Sequence, residues 1–343
     1  MSRISQLLRP NIAALAPYST ARDEYDGPIG IFLDANENPY QNGYNRYPDP
    51  HQAGLKSRIA SIKGIPADQL FLGNGSDEAI DLVFRIFCEP GKDNAVIMSP
   101  SYGMYGVAAA INDVEVRPVQ LDADFNLDSS ALLGACDSRT KAIFLCSPNN
   151  PSGNAFPREQ LLDICRRFPG IVVVDEAYVD FSDKGSLVSE ALKSDNIIVL
   201  QTLSKARAMA GLRIGMAISS KEIIRLMSMV KYPYNLSSAA MERASALLSE
   251  AIDDKVDTIV KERARLLMEL PFFPFVRKVF PSDANFLLVR VDDASSLYSY
   301  LLGEGIIVRN RSTVPGCEGC VRITVGLPEE NDALLKALKT YTI

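Results

Sequence analysis

Histidine is almost absent: His51 stands alone among 343 residues, so any mechanism that needs two imidazoles is excluded. Cysteine is scarce as well. Six in a chain of this length do not make a disulfide scaffold. Cys317 and Cys320 form a C-x-x-C in "PGCEGC", but no second pair or neighbouring histidine completes a zinc site, and two free thiols in a glycine-rich turn are expected. Long apolar runs are missing too. Stretches such as "AIFLC" and "IVVV" fall far short of a membrane span. The opening "MSRISQLLRPNIAALAPYS" has neither the apolar core nor the cleavage pattern of a signal peptide, so a cytoplasmic protein is expected. Basic residues are in deficit. The net charge of -6 argues against nucleic acid or an anionic membrane as the main partner. Finally, the glycine fingerprint of nicotinamide-dependent dehydrogenases is absent.

What is present is a regular alternation. The runs "NAVIMSP", "KAIFLCSP", "GIVVVDEAY" and "NIIVLQTLSK" are rich in β-branched residues and show little period-two polarity. That suits strands covered on both faces, as in a parallel sheet. Helical patterns such as "PREQLLDICRRF" lie between them, which implies βαβ units in an α/β architecture. Pro10, Pro17, Pro28 and Pro39 discourage regular structure, so residues 1–40 are expected to form an extended arm. A mostly parallel central sheet covered by helices is expected over 41–245 as a large domain. A long amphipathic segment then runs from Ser237 to Leu270, stopped by Pro271. The runs "ANFLLVRVD", "GIIVRNRS" and "CVRITVG" and the closing "ENDALLKALKTY" suggest a smaller α+β domain over 246–343.

Each central run stops at a polar cluster. One leads into Ser101 and Tyr102, the next into Asn149 and Asn150; a third delivers Asp175 and Tyr178, and the fourth Thr202, Ser204 and Lys205. Ligands of open parallel sheets bind outside the carboxyl ends of the strands, so the four clusters should meet at one edge. In "LGNGSDEAIDLVF", Gly73 and Gly75 permit a tight turn, and Ser76, Asp77 and Glu78 then open a helical pattern. The free N–H groups of such a helix start suit an anion. No Gly-Lys-Ser/Thr follows, so it is not a nucleotide P-loop.

Taken together, the set comprises an anion cradle with hydroxyls at Ser76, Thr202 and Ser204, a cation at Arg213 and an amine at Lys205. A carboxylate at Asp175, an amide at Asn150, and phenols at Tyr178 and Tyr102 complete it. Pyridoxal phosphate needs these groups: an amine for its aldehyde, a carboxylate against its ring nitrogen, and a phosphate handle.

The same stretches identify the chain as similar to the pyridoxal-phosphate-dependent aminotransferases of the aspartate aminotransferase fold type. The similarity covers nearly the whole chain. It is carried by "GNGSDEAI", "PSYGMY", "SPNNPSGN", "VVVDEAYVDF" and "TLSKARAMAGLRIG", and within the family "LDANENPY", "NRYPDP" and "VRITVG" resemble the branch acting on histidinol phosphate. The resemblance implies that Lys205 bonds to the aldehyde, that Asp175 pairs with the ring nitrogen, and that Asn150 and Tyr178 flank the ring hydroxyl. It implies that Tyr102 stacks on the ring, and that Gly75, Ser76, Asp77, Thr202, Ser204 and Arg213 hold the phosphate. Tyr47 would reach the cofactor phosphate of a second subunit in a homodimer, and Tyr18, Arg309 and Arg322 would bind substrate anions. The implied reaction moves the amino group of histidinol phosphate to 2-oxoglutarate. An aromatic amino-acid aminotransferase and a phospho-amino-acid decarboxylase share the same core residues. A non-catalytic ligand-binding protein on this scaffold is a further alternative. One departure is Arg207, which stands where many relatives carry an aromatic residue.

Overall fold

The computed structural model describes residues 3–20 and 30–342. Its larger sheet contains β1 (Leu70–Asn74), β2 (Asn94–Ser99), β3 (Glu115–Gln120), β4 (Thr140–Cys146), β5 (Ile171–Asp175), β6 (Ile197–Thr202) and β7 (Ile214–Ile218). The spatial order is β1-β7-β6-β5-β4-β2-β3. Neighbours from β6 to β3 run parallel, whereas β7 is antiparallel to both β6 and β1. The four β-branched runs are therefore consecutive parallel neighbours, as their composition suggests. Every residue of β5, β6 and β7 is buried, which explains why their sequences show no polar alternation.

Helices seal both faces. Phe71 of β1 and Ala217 of β7 join the core that contains Ile80, Val83 and Phe87 of the helix Ser76–Phe87. The alternate residues Leu70, Leu72, Ile214 and Met216 pack instead with Leu55 and Ile59 of the helix Ala53–Lys63 and Ala244 of the helix Ser238–Leu247. Period-two alternation thus splits β1 and β7 between two cores.

A second, antiparallel sheet contains β8 (Val276–Val279), β9 (Phe286–Val291), β10 (Arg309–Asn310) and β11 (Cys320–Thr324), in the order β10-β11-β9-β8. It shares an apolar cluster with the helices Asp253–Glu269, Ala294–Gly303 and Pro328–Thr340. The amphipathic stretch after Ser237 forms two helices, divided between Leu247 and Asp253.

The described part of residues 1–40 is mostly without regular structure, apart from its first turns. Short helices span Arg3–Leu7 and Pro10–Ala13, and Pro10 occupies a first-turn position, where its missing N–H does no harm. Ile4 is buried, and the Arg3 guanidinium donates to the carbonyls of Phe168 and Pro169. Among the described residues no helix is long and apolar enough to cross a membrane.

The antiparallel insertion of β7 brings Arg213 beside the turn that precedes the helix Ser76–Phe87, and Gly75 N–H donates to Arg213 O at 2.7 Å. Gly215 makes this approach possible. A Cβ there would lie 2.0 Å from Ser76 N and 2.3 Å from the Gly75 carbonyl carbon. Gly215→Ala is therefore expected to force the helix start away from β7 and to destabilise the protein by about 1–3 kcal/mol or more. A denaturant midpoint equal to that of the unaltered protein would contradict this account of the packing.

Candidate active site

The carboxyl ends of β1, β2, β4, β5 and β6 border one cavity of about 650 Å³. Thirteen of the fifteen residues expected to form a site line it: Gly75, Ser76, Asp77, Tyr102, Asn150, Asp175, Tyr178, Thr202, Ser204, Lys205, Arg213, Arg309 and Arg322. Tyr18 and Tyr47 do not line it. Tyr18 is exposed, and Tyr47 stacks on Tyr234 with ring centroids 4.6 Å apart.

Asp175 is the last residue of the wholly buried β5. Its Oδ1 accepts the Ala177 N–H at 3.1 Å, and its Oδ2 accepts the Tyr105 hydroxyl at 2.7 Å. Burial pushes the carboxyl above its ordinary range, and these two donors oppose the rise. Among the described residues it has no ion-pair partner. Lys205, just beyond β6, faces the same cavity, with its ammonium 5.5 Å from the centre of the Tyr178 ring. Burial holds its pKa below the ordinary lysine value, and the guanidiniums of Arg322 and Arg213 lower it further. The Tyr178 phenol is shifted upward by burial and so remains a donor. Asn150 Nδ2 approaches its oxygen at 3.4 Å, while Asn150 Oδ1 accepts from Arg322 Nη1 at 2.5 Å.

The opposite wall is an anion cradle. Gly75 has a φ of 73°, and a Cβ there would come within 2.8 Å of Arg213 Nη2. That space is left free between a helix N-terminus and a guanidinium. Arg213 is 3.6 Å from Asp77, whose carboxylate also accepts the Tyr102 hydroxyl at 3.0 Å. Ser204 and Thr202 are linked through the Ser204 N–H to Thr202 Oγ1 at 3.1 Å.

The sequence reading assigns no role to three residues of the site. Tyr105, fully buried and stacked on Phe144 at 5.1 Å, supports Asp175 from behind. Asn149 staples the loops after β2 and β4: its Nδ2 donates to Pro100 O at 3.1 Å, and its Oδ1 accepts from Ser101 at 3.0 Å. Arg311 lines the cavity beside Arg309 and Arg322. Tyr105 belongs to the quoted "PSYGMY", and Arg311 follows Arg309 at the spacing that returns a strand to the same face; each had that one signal. Arg207, in contrast, points elsewhere and donates to Glu250 O at 3.3 Å. Cys317 and Cys320 are buried free thiols, and no cluster of potential metal ligands occurs among the described residues.

A buried, unpaired carboxylate, a deprotonation-prone lysine and an anion cradle on one cavity fit the ring nitrogen, aldehyde and phosphate of pyridoxal phosphate. Fold and site define a pyridoxal-phosphate-dependent enzyme. The chain belongs to the aminotransferase class I and II family, whose model matches residues 28–338. It is 54% identical over 345 residues to the histidinol-phosphate aminotransferase of Parabacteroides distasonis, covering 100% of both chains. The crystal structure of the histidinol-phosphate aminotransferase from Clostridium acetobutylicum superposes with a TM-score of 0.79 at 27% identity, covering 86% of this chain and 90% of that one. The fold is also that of the Sinorhizobium meliloti histidinol-phosphate aminotransferase in complex with pyridoxal-5'-phosphate (TM-score 0.78, 24% identity, 85% and 82% covered).

The depressed pKa of Lys205 has a kinetic consequence. Its neutral, nucleophilic amine forms at lower pH than an ordinary lysine allows. The rate at which cofactor-free protein takes up pyridoxal phosphate, followed by visible absorbance, should rise with pH and level off below about 10.4, the ordinary lysine value. A rate still climbing at that pH would show an unperturbed ammonium.

Proposed function

We propose that the protein interconverts L-histidinol phosphate and 2-oxoglutarate with imidazole-acetol phosphate and L-glutamate, as a cytoplasmic homodimer. One observation carries the substrate assignment: the full-length 54% identity to a histidinol-phosphate aminotransferase. The cationic end of the cavity, with Arg309 and Arg322, agrees with substrates that carry a phosphate or a second carboxylate. Six free cysteines suit a reducing compartment.

Bound pyridoxal phosphate supplies an aldehyde for amines and a protonated ring that draws electrons from the substrate α-carbon. The residues of the chain divide the remaining tasks. Arg213, Ser204, Thr202 and the N–H groups at Gly75, Ser76 and Asp77 hold the phosphate, and Tyr102 covers the ring. Asp175 keeps the ring nitrogen protonated, because a cation beside it removes the penalty of its own burial. Tyr178 and Asn150 position the ring hydroxyl. Lys205 would take the proton from the substrate Cα, and its lowered pKa makes the neutral base available at lower pH than for an ordinary lysine. Arg322 and Arg309 would bind the distal anion.

The dimer reading is supported by the segment that carries Ile31, Leu33, Tyr40, Tyr44 and Tyr47, all exposed in the single chain. Apolar exposure on this scale marks interaction surfaces. Tyr47 would there reach the phosphate held by a second copy. Sedimentation is expected to give twice the mass of one chain, and Tyr47→Phe should weaken cofactor affinity by about two- to tenfold, the loss of one hydrogen bond. A monomer with full activity would remove Tyr47 from the site.

Lys205→Ala should lower kcat by about 10²–10⁴, and borohydride should fix the pyridoxyl group to Lys205 in the unaltered protein, read as a mass increase on its peptide. In a substrate panel, histidinol phosphate should outperform phenylalanine and tyrosine in kcat/KM by at least tenfold. Equal or better turnover of the aromatic amino acids would favour the aromatic aminotransferase instead, and release of carbon dioxide from a phosphorylated amino acid would favour the decarboxylase.

A further inference from the structure

Arg309 and Arg322 are direct partners across the antiparallel pair of β10 and β11, and Asn310 faces Val321. The pairing continues past β10, because the Arg311 N–H donates to Cys320 O at 2.8 Å. Alternation then returns Arg311 to the face that carries Arg309 and Arg322. All three guanidiniums line the cavity. Like charges directly opposite one another destabilise a strand pair. Here two are opposite and a third is one step along the same face.

Among the described residues nothing neutralises the group. Among the described residues none of the three forms an ion pair with a carboxylate, and Arg311 Nε is buried without a hydrogen-bond partner. Arg322 is held by Asn150 Oδ1 at 2.5 Å and lies 5.2 Å from the centre of the Phe286 ring, contacts that orient it without cancelling its charge. Burial depresses Arg322 and Arg311, and each is pushed further by the neighbouring guanidiniums, yet arginine stays cationic throughout. The acidic side chains on the cavity, Asp77 and Asp175, are engaged at the other end, with Arg213 and Tyr102 and with Tyr105.

We propose that Arg311 is a specificity-determining residue that binds the terminal phosphate of the substrate, as a third fork beside Arg309 and Arg322. The assignment rests on the reading of this site as one that takes a phosphorylated amino alcohol. A carboxylate has two oxygens and one charge, which a pair of guanidiniums satisfies. A phosphate monoester has three terminal oxygens and close to two charges, and leaves acceptors for a third donor. Arg311 therefore favours the phosphate ester over the dicarboxylate that shares the pocket.

The test uses the holoenzyme with Arg311→Gln and Arg311→Lys. Both variants should keep the visible cofactor band and the denaturation midpoint of the unaltered protein. Arg311→Gln should raise KM for histidinol phosphate by about ten- to a hundredfold, the range for loss of a charge-assisted contact, with a small effect on kcat. The KM for glutamate should rise by less than about threefold. Arg311→Lys, which keeps the charge and loses the fork, should fall between. Inorganic phosphate, as a competitive inhibitor of the glutamate half-reaction, should weaken in parallel with the ester. Equal losses for ester and glutamate, or unchanged ester KM and phosphate inhibition, would overturn the assignment. Should the unaltered enzyme fail to turn over histidinol phosphate, the proposed function falls, and phosphate inhibition alone still decides the role of Arg311.

Discussion

The site depends on keeping one carboxylate almost wholly buried at the floor of a cavity. Asp175 ends a strand with no exposed residue, in the middle of a seven-stranded sheet. Placing an ionised group there is unfavourable unless something charged and complementary is brought to it. The protein supplies only part of that complement, a phenol and an amide. The remainder of the architecture, from the aromatic stack behind Asp175 to the lysine across the cavity, can be understood as preparing the space for a cation that is not an amino-acid side chain.

Sheet topology does the preparing. Parallel strands deliver Tyr102, Asn150, Asp175 and Lys205 to a common edge, in keeping with the rule for open α/β sheets. The reversal at β7 then adds what parallel order could not. It returns the chain to the same edge from the other direction, so that Arg213 meets the helix start at Ser76 across a contact only glycine permits. The smaller sheet contributes a separate property: a face of guanidiniums aimed at the same space. The anion cradle and the guanidinium face are thus housed on different sheets.

Much of this was legible beforehand. The runs that became β2, β4, β5 and β6 are apolar and β-branched, so their composition alone marks buried parallel strands. β3 was not marked, because it is an edge strand, "EVRPVQ", with polar residues and a proline at position 118. β7, "IGMAI", hid behind the arginine and glycine motif that precedes it, and β8, "VRKV", carries two charges in four residues. The chemistry-bearing residues at strand ends stood out by residue type. Tyr105 did not, since its importance lies in a contact with a residue 70 positions away. The short helix at Pro10–Ala13 went unmarked for a local reason: a proline can open a helix as readily as it can prevent one.

The unpaired state of Asp175 reaches beyond catalysis. A ligand that binds the native chain and not the unfolded one stabilises it, by about 2.7 kcal/mol when present at a hundred times its dissociation constant. In this protein the ligand also relieves a buried charge, so newly made chains awaiting their vitamin-derived partner form the more fragile population. Degradation in the cell would then sort filled from unfilled molecules, and the abundance of the enzyme would track vitamin supply with no dedicated sensor.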